Sequence, residues 1–406
     1  MKKQTITIAI LAAAGSLLAA GYQIQEQGAS NIGTAMAGSV TNANNDASAA
    51  YWNPSAIAFS GLEEGETIID AGLSFVMPTL DFHDTGSQDP FHPEGSKSAS
   101  AAPMSEVPNM YAAHRFNESM YATFSFSAPY GLESDYDENW VGRYQGINSY
   151  VMTMDLNPSF VYQVNDWLSI GCGLSAQYIY ASLSNMLPPG VLGGGKLDIS
   201  GYGWGIGGNA GFTIKYAEGG KFAFAWRSAV GQDLDGTMRT GSLSYDISTS
   251  ITNPDTFTFG IYQKFLKNFA VMADYTLTRW SVFDKLEING GPIPIKENEN
   301  WKDTSRVSLG FHYYPDFLEG ATFRIGAAFD ETPVSELRTV RIPCCDRVWL
   351  STGLGFKYKF VEFDVGYTYI FLIGDGKIDS ADYVNRVTGY YDGHIQVVSI
   401  QASIKF

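Results

Sequence analysis

Hydropathy alternates with a period of two through much of this chain, down to its last residue. Val398, Ile400, Ala402, Ile404 and Phe406 are apolar, while Ser399, Gln401, Ser403 and Lys405 between them are polar. A β-strand sends successive side chains to opposite faces, so such a segment presents one apolar face and one polar face. The same parity holds for Val361, Phe363, Val365, Tyr367, Tyr369 and Phe371 against Glu362, Asp364, Gly366 and Thr368. It recurs at Val307, Leu309, Phe311 and Tyr313 against Arg306, Ser308, Gly310 and His312, and in the segment from Val348 to Phe360. A sheet half-buried in water shows this pattern too, but there the polar face carries dense charge. Here only 17% of residues are charged, aromatics recur near strand ends and glycine lies on the polar face. That combination favours a membrane barrel, apolar outside and polar within. The alternative is a secreted β-sandwich or propeller, and no blade-length repeat supports it.

Fourteen strand candidates follow, near 67–78, 106–116, 119–129, 149–163, 167–183, 201–216, 221–239, 242–265, 268–288, 300–315, 320–330, 346–360, 361–372 and 390–406. The expected fold is all-β, a 14-stranded antiparallel transmembrane β-barrel, and an even strand number suits a bacterial barrel. The turn-rich stretches 79–105, 130–148, 184–200, 289–299, 331–345 and 374–389 read as outward loops. Phe116-Asn117-Glu118, Asn165-Asp166, Glu218-Gly219-Gly220, Lys267-Asn268 and Glu319-Gly320 read as tight periplasmic turns. Beyond the first twenty residues no apolar run approaches the roughly 18 residues of a membrane helix.

Residues 1–20 combine Lys2 and Lys3, the apolar stretch Ile6 to Ala14 and a small-residue end, as a secretory signal peptide does. Cleavage is expected after Ala19 or Ala20. Residues 21–60 are rich in Ala, Ser, Asn and Gly without strand alternation. They read as a plug inside a polar lumen or as a disordered periplasmic extension. Trp52-Asn53-Pro54 marks an ordered turn there, and 61–406 is the barrel. A net charge of −16 argues against nucleic acid as a partner. Cys172, Cys344 and Cys345 are too few to build a disulfide framework, and the adjacent pair reads as loop thiols.

The segment "GYQIQEQGASNIGTAMAGSV" followed by "AAYWNPSAIAF" resembles the amino-terminal hatch of the FadL/TodX family, with Asn53 and Pro54 in its Asn-Pro-Ala signature and Ser55 replacing Ala. "YGLESDYDENWVGRYQG", "FAWRSAV", "YTLTRWSVFDKLEI", "NWKDTSRVSLGFHYY", "TFRIGAAFDETPV" and "PCCDRVWLSTGLGFKY" resemble further family segments, in family order and across the mature chain. The resemblance implies a hatch-plugged barrel in the bacterial outer membrane, without cofactor or metal. It would carry long-chain fatty acids or similar hydrophobic molecules inward and release them sideways through the wall near a kinked third strand; since no energy source is visible in the sequence, passive, hatch-gated diffusion is the expected mechanism. Gly21 and Tyr22, Arg143, Lys296 and Lys302 are the substrate-binding residues it suggests. Outer-membrane lipid and lipopolysaccharide would be its surroundings, and a monomer its state.

Pro129, which lacks a ladder donor, and Gly131, which tolerates unusual dihedrals, suit a broken third strand, though an ordinary strand end would look similar. By parity Arg227, Arg306, Arg324 and Arg347 face the lumen with Asp274, Glu362 and Asp364. One of these arginines could hold a substrate carboxylate through paired hydrogen bonds. Because acids and bases alternate on one face, a mutually neutralising network tying hatch to wall is the favoured reading.

Departures from the fatty-acid pattern are also present. The loop 184–200 is short, Ser182 stands where a basic residue is expected, and Lys296 and Lys302 flank a second such position that falls at Glu297. Neutral monoaromatic hydrocarbons are therefore the alternative cargo. A general porin and an outer-membrane lipid hydrolase are further alternatives. Against an enzyme, His312 has no recognisable Ser partner, and His83 and His92 lie in an acidic loop at loose metal spacing.

Overall fold

The computed structural model describes residues 21–100, 102–292, 295–334, 338–374, 376–381 and 384–406. The expected signal peptide lies outside the described residues. Fourteen antiparallel strands close into one barrel. They are β1 (Thr67–Asp84), β2 (Ser105–Arg115), β3 (Met120–Ser127 and Gly131–Asp135), β4 (Asn148–Asn165), β5 (Leu168–Leu187), β6 (Gly195–Ala217) and β7 (Gly220–Arg227 and Val230–Thr240). The circuit continues through β8 (Leu243–Asn253 and Thr256–Phe265), β9 (Phe269–Thr278 and Lys285–Asn289), β10 (Ile295–Asn298 and Thr304–Tyr313), β11 (Ala321–Asp330), β12 (Asp346–Tyr358), β13 (Val361–Ile373) and β14 (Arg386–Lys405). Closure comes from β1 pairing with β14, Ile68 opposite Lys405 and Asp84 opposite Gly389. Two short additions, Ser98–Ser100 on β1 and Lys377–Ala381 on β14, extend the long-loop end.

The alternation orients the wall as expected. On β10, Val307, Leu309 and Phe311 are exposed on the outer surface, whereas Arg306, Ser308 and His312 are buried inside. On β14, Ile400 and Ile404 face out while Ser399, Gln401 and Ser403 are buried. Apolar side chains outside and polar ones inside suit a wall that contacts lipid.

Residues 21–60 fill the lumen as an ordered plug of short helices, α1 (Ala29–Ile32), α2 (Ala49–Trp52) and a 3₁₀ turn (Pro54–Phe59), almost wholly buried. Pro54 opens that turn, where its missing N–H costs no bond. Glycines on the inner face allow this close fit. A Cβ at Gly326 would lie 2.2 Å from the Thr34 backbone, and one at Gly353 only 2.7 Å from the Gly33 Cα. The hatch therefore packs backbone against backbone, which explains glycine on the polar face.

Five strands break at comparable positions along the barrel: β3 between Ser127 and Gly131, β7 after Arg227, β8 after Asn253, β9 after Thr278 and β10 after Asn298. The segments on the short-turn side enclose the hatch, and those on the long-loop side enclose an open cavity.

Candidate ligand cavity

Above the hatch lies a largely apolar cavity that opens toward the long-loop end. Its walls are Ile179, Leu183 and Ile199 from the continuous β5 and β6, and Leu234, Ile247 and Ile288 from the long-loop segments of the broken β7, β8 and β9. Tyr22 forms its floor. The ring sits 4.8 Å from Trp280, 5.7 Å from Phe283 and Trp301, and 5.8 Å from Tyr130, mostly edge to face. Such aromatic contacts add about 0.5–1.5 kcal/mol each beyond burial. Gly21 precedes it with φ +66, and a Cβ there would lie 2.5 Å from the Trp301 ring. Only glycine suits both constraints.

Three charged side chains reach the cavity: Arg341 from the 331–345 loop, Glu297 at the end of the Ile295–Asn298 segment, and Glu299 just past it. Arg341 is held by neutral acceptors, Nη1 donating to the Asn148 carbonyl (3.1 Å), Ser149 Oγ (3.0 Å) and the Ser184 carbonyl (3.3 Å), and Nη2 to Asn185 Oδ1 (3.4 Å). Among the described residues no carboxylate lies within ion-pair distance of it. Burial lowers the Arg341 pKa below its ordinary value, against the pull of Glu297, Tyr136 and Glu299. Glu299 accepts the Trp301 indole N–H at 3.0 Å. Its burial, with Glu297 beside it, pushes its pKa up to about 7.

The two lysines suggested by the sequence are not in this cavity. Residues on the Ile295–Asn298 segment alternate, so Glu297 turns inward and Lys296 outward, where it meets Glu287 at 2.7 Å. Lys302 is exposed beside the buried Trp301. Arg143 stays in its loop, its guanidinium 4.9 Å from the Tyr144 ring and Nε 3.9 Å from Asp89. Arg341 was missed because a loop residue has no strand parity, although the stretch Arg338 to Arg341 held two bases.

The third strand is broken where Pro129 stands. The chain's own amino end fills the break: Ile24 N–H donates to the Pro129 carbonyl and Gly131 N–H to the Tyr22 carbonyl, both at 2.8 Å. Gly131 does not adopt a positive φ as its residue type had suggested. Its missing side chain makes room instead, since a Cβ there would lie 2.8 Å from Ile24 Cδ1. Beyond Met110 opposite Phe126, β2 and β3 no longer pair.

Arg347 pairs with Asp330 within the wall, and most of the other lumenal charges join hatch to wall. Arg324 pairs with Asp364 at 2.5 Å while also donating to Asn44 Oδ1 at 3.0 Å. Arg306 donates to the Ala35 carbonyl at 2.9 Å, and Asp274 accepts from Ser39 Oγ at 3.0 Å and Val40 N–H at 3.3 Å. Arg227 meets Asp155 at 3.2 Å and donates to the Tyr51 carbonyl at 2.8 Å. Glu362 differs, lining an open vestibule at the short-turn end with His312 and Lys357. Asn53 donates to the Val40 carbonyl (2.9 Å) and Thr213 Oγ1 (3.1 Å), and accepts from Ser55 Oγ (2.7 Å). Ser55 Oγ also lies 2.8 Å from Thr213 Oγ1, so the serine in place of alanine adds a tie to the wall. His83 pairs with Asp392 at 3.0 Å, and Cys344 and Cys345 are buried thiols.

A closed barrel with an ordered internal plug and an apolar chamber above it defines a gated transport channel for hydrophobic compounds. Residues 10–406 match the family described as "Outer membrane protein transport protein (OMPP1/FadL/TodX)", and the chain belongs to that family. It is an outer-membrane protein acting in hydrophobic-compound uptake. Among its relatives is the long-chain fatty acid transport protein of Escherichia coli K12, 26% identical over 91% of each chain. The 47 kDa outer membrane protein of Pasteurella multocida is 28% identical, over 90% of this chain and 91% of that one. The fold is shared with a Pseudomonas aeruginosa FadL homologue (TM-score 0.84, 21% identity, 95% of this chain and 99% of that one). It is also shared with the Pseudomonas putida toluene transporter TodX (TM-score 0.68, 15% identity, 94% and 99%).

Proposed function

We propose that the cargo is a long-chain fatty acid, its hydrocarbon lying in the apolar cavity and its carboxylate at Arg341. The observation that carries this reading is the Arg341 guanidinium, which faces an apolar chamber without a carboxylate partner among the described residues. A guanidinium so placed favours an anionic head, and charge-assisted bonds are the strong ones. Each methylene moved from water into the cavity contributes about 0.8 kcal/mol, so affinity rises roughly fourfold per methylene until the cavity is filled.

Transport is then passive. Displacing the hatch's amino end from the β3 break would open the wall beside Tyr130 and let the ligand leave into the bilayer. No hydrolytic step is needed, and a monomer embedded among outer-membrane lipid and lipopolysaccharide suffices.

The second reading is a neutral monoaromatic hydrocarbon. It draws on the Arg341 donors already engaged by Asn148, Ser149, Ser184 and Asn185. Titration of the purified, detergent-washed barrel with a fatty acid and a monoaromatic hydrocarbon separates the two. Saturable fatty-acid binding that weakens in Arg341→Gln supports the first, and tight hydrocarbon binding indifferent to that change supports the second. A requirement for a transmembrane gradient in reconstituted vesicles would refute passive transport.

A further inference from the structure

Among the described residues the cavity contains more acid than base, and neither acid is tied to the base. Glu297 and Glu299 share the chamber with Arg341, yet neither lies within the 4.0 Å of an ion pair. Glu299 is only 6% exposed. Trp301, whose indole N–H it accepts, is wedged against Tyr22, Trp280 and Phe283, so this carboxyl is held in place rather than free to swing into solvent. Its own amide donates to the Asp284 carbonyl at 2.7 Å.

The titratable and charged groups that bear on Glu299 are few. Glu297 lies on its own segment, Arg341 on the facing loop and the Tyr22 phenol on the hatch below, while the Asp284 side chain belongs to an exposed residue. With both glutamates ionised and Arg341 charged, the described residues lining the chamber carry one net negative charge. A bound carboxylate would make it two, in an apolar enclosure where like charges repel strongly. One proton on Glu299 removes that excess while leaving the guanidinium available.

We propose that Glu299 couples binding to protonation: an anionic amphiphile occupies the cavity together with one proton, taken from solvent onto the Glu299 carboxylate. This rests on the reading of the chamber as a carboxylate site. No other bond forms or breaks, and the proton returns to solvent when the ligand leaves. The direction of the Glu299 shift, up to about 7 from burial and Glu297, agrees with a proton exchanged near neutral pH. Glu299 is thereby the selectivity element of the cavity, favouring anionic over neutral amphiphiles only below neutrality.

The test uses the purified full-length barrel and three probes of equal chain length: an alkyl sulfonate, anionic at every pH used, the matching fatty acid, and the neutral alcohol. Calorimetric titrations from pH 6 to pH 9, in buffers of different ionisation enthalpy, give both affinity and protons bound. Wild type is expected to lose affinity for the sulfonate about tenfold per pH unit above pH 7, and to take up close to one proton per ligand at pH 8. Glu299→Gln, which keeps an acceptor for Trp301, is expected to bind the sulfonate with a flat profile and no proton uptake. The alcohol is expected to bind both proteins independently of pH. Absent proton uptake in wild type, uptake unchanged in Glu299→Gln, or the same slope for the alcohol would overturn the coupling. The wild-type proton count serves alone should the variant not fold. Anion binding with a flat profile defeats only the coupling, whereas failure of both anionic probes to bind even at pH 6 defeats the carboxylate reading with it.

Discussion

The Gly131 amide donates a 2.8 Å hydrogen bond to the carbonyl of Tyr22, so the residue that floors the apolar cavity is also a rung of the barrel wall. The partner bond from Ile24 to the Pro129 carbonyl completes a two-rung patch across the β3 break. Cavity floor and wall seal are thus one piece of chain.

Replacing Gly131 with Val should force Ile24 away, because even a Cβ would approach its Cδ1 to 2.8 Å. Loss of two backbone bonds, about 1 kcal/mol each, predicts roughly thirtyfold more of the undocked state. Hydrogen exchange at the Ile24 amide should accelerate accordingly, and ligand affinity should fall as Tyr22 leaves the floor.

Arg347 and Asp330 form a buried pair between neighbouring strands, opposite one another in the ladder. Among the described residues, Arg347→Met leaves Asp330 with Arg306, 3.9 Å away, as its remaining cationic partner, and should destabilise by about 3–5 kcal/mol. The urea midpoint for loss of the compact, unheated gel form should drop, and the added change Asp330→Leu should restore part of it, the remainder being the loss of the carboxylate beside buried Arg306. No recovery in the double variant would argue against the uncompensated charge as the cause.

Asn53 has both ends of its amide bonded within the barrel. Asn53→Ala should loosen the hatch while sparing the wall, since the strand ladders do not involve it. The expected readout is higher ion conductance in planar bilayers with an unchanged gel shift. Conductance at the wild-type level would show that the other hatch contacts suffice.

Lys296→Ala and Lys302→Ala should leave fatty-acid affinity within twofold of wild type, because both side chains lie outside the cavity. Arg341→Gln should lower it about tenfold to a hundredfold, the worth of a charge-assisted bond. Equilibrium binding on the three variants in one detergent decides this; a larger loss at either lysine would relocate the carboxylate site.

The fold was legible because strand parity is a local property. Each of the fourteen candidates reads from its own ten or so residues, and most tight turns announce themselves through Gly, Asn or Asp. The limits of individual strands were less legible. β5 and β6 run past the hydrophobic band to Leu187 and from Gly195, where cross-strand pairing, not lipid, sustains them. The lumen charges were visible by parity, but their partners were not. Asp155 and Asp330, which complete the pairs of Arg227 and Arg347, lie far away in sequence or on another strand.

The sequence by itself determined the alternating wall and the strand number, since these depend on side-chain type and spacing along one stretch of chain; it left open whether residues 21–60 are a plug or an extension and whether Pro129 breaks a strand or ends it. Only the tertiary structure decided which charges reach the apolar chamber. Arg341 and Glu299 come from separate loops with no periodicity, and the curvature of the closed barrel, with five strand breaks aligned above the hatch, brings them to one apolar chamber. Lys296, next to Glu297, is turned away by the same alternation that built the wall, and Lys302 is exposed in the stretch between the two β10 segments.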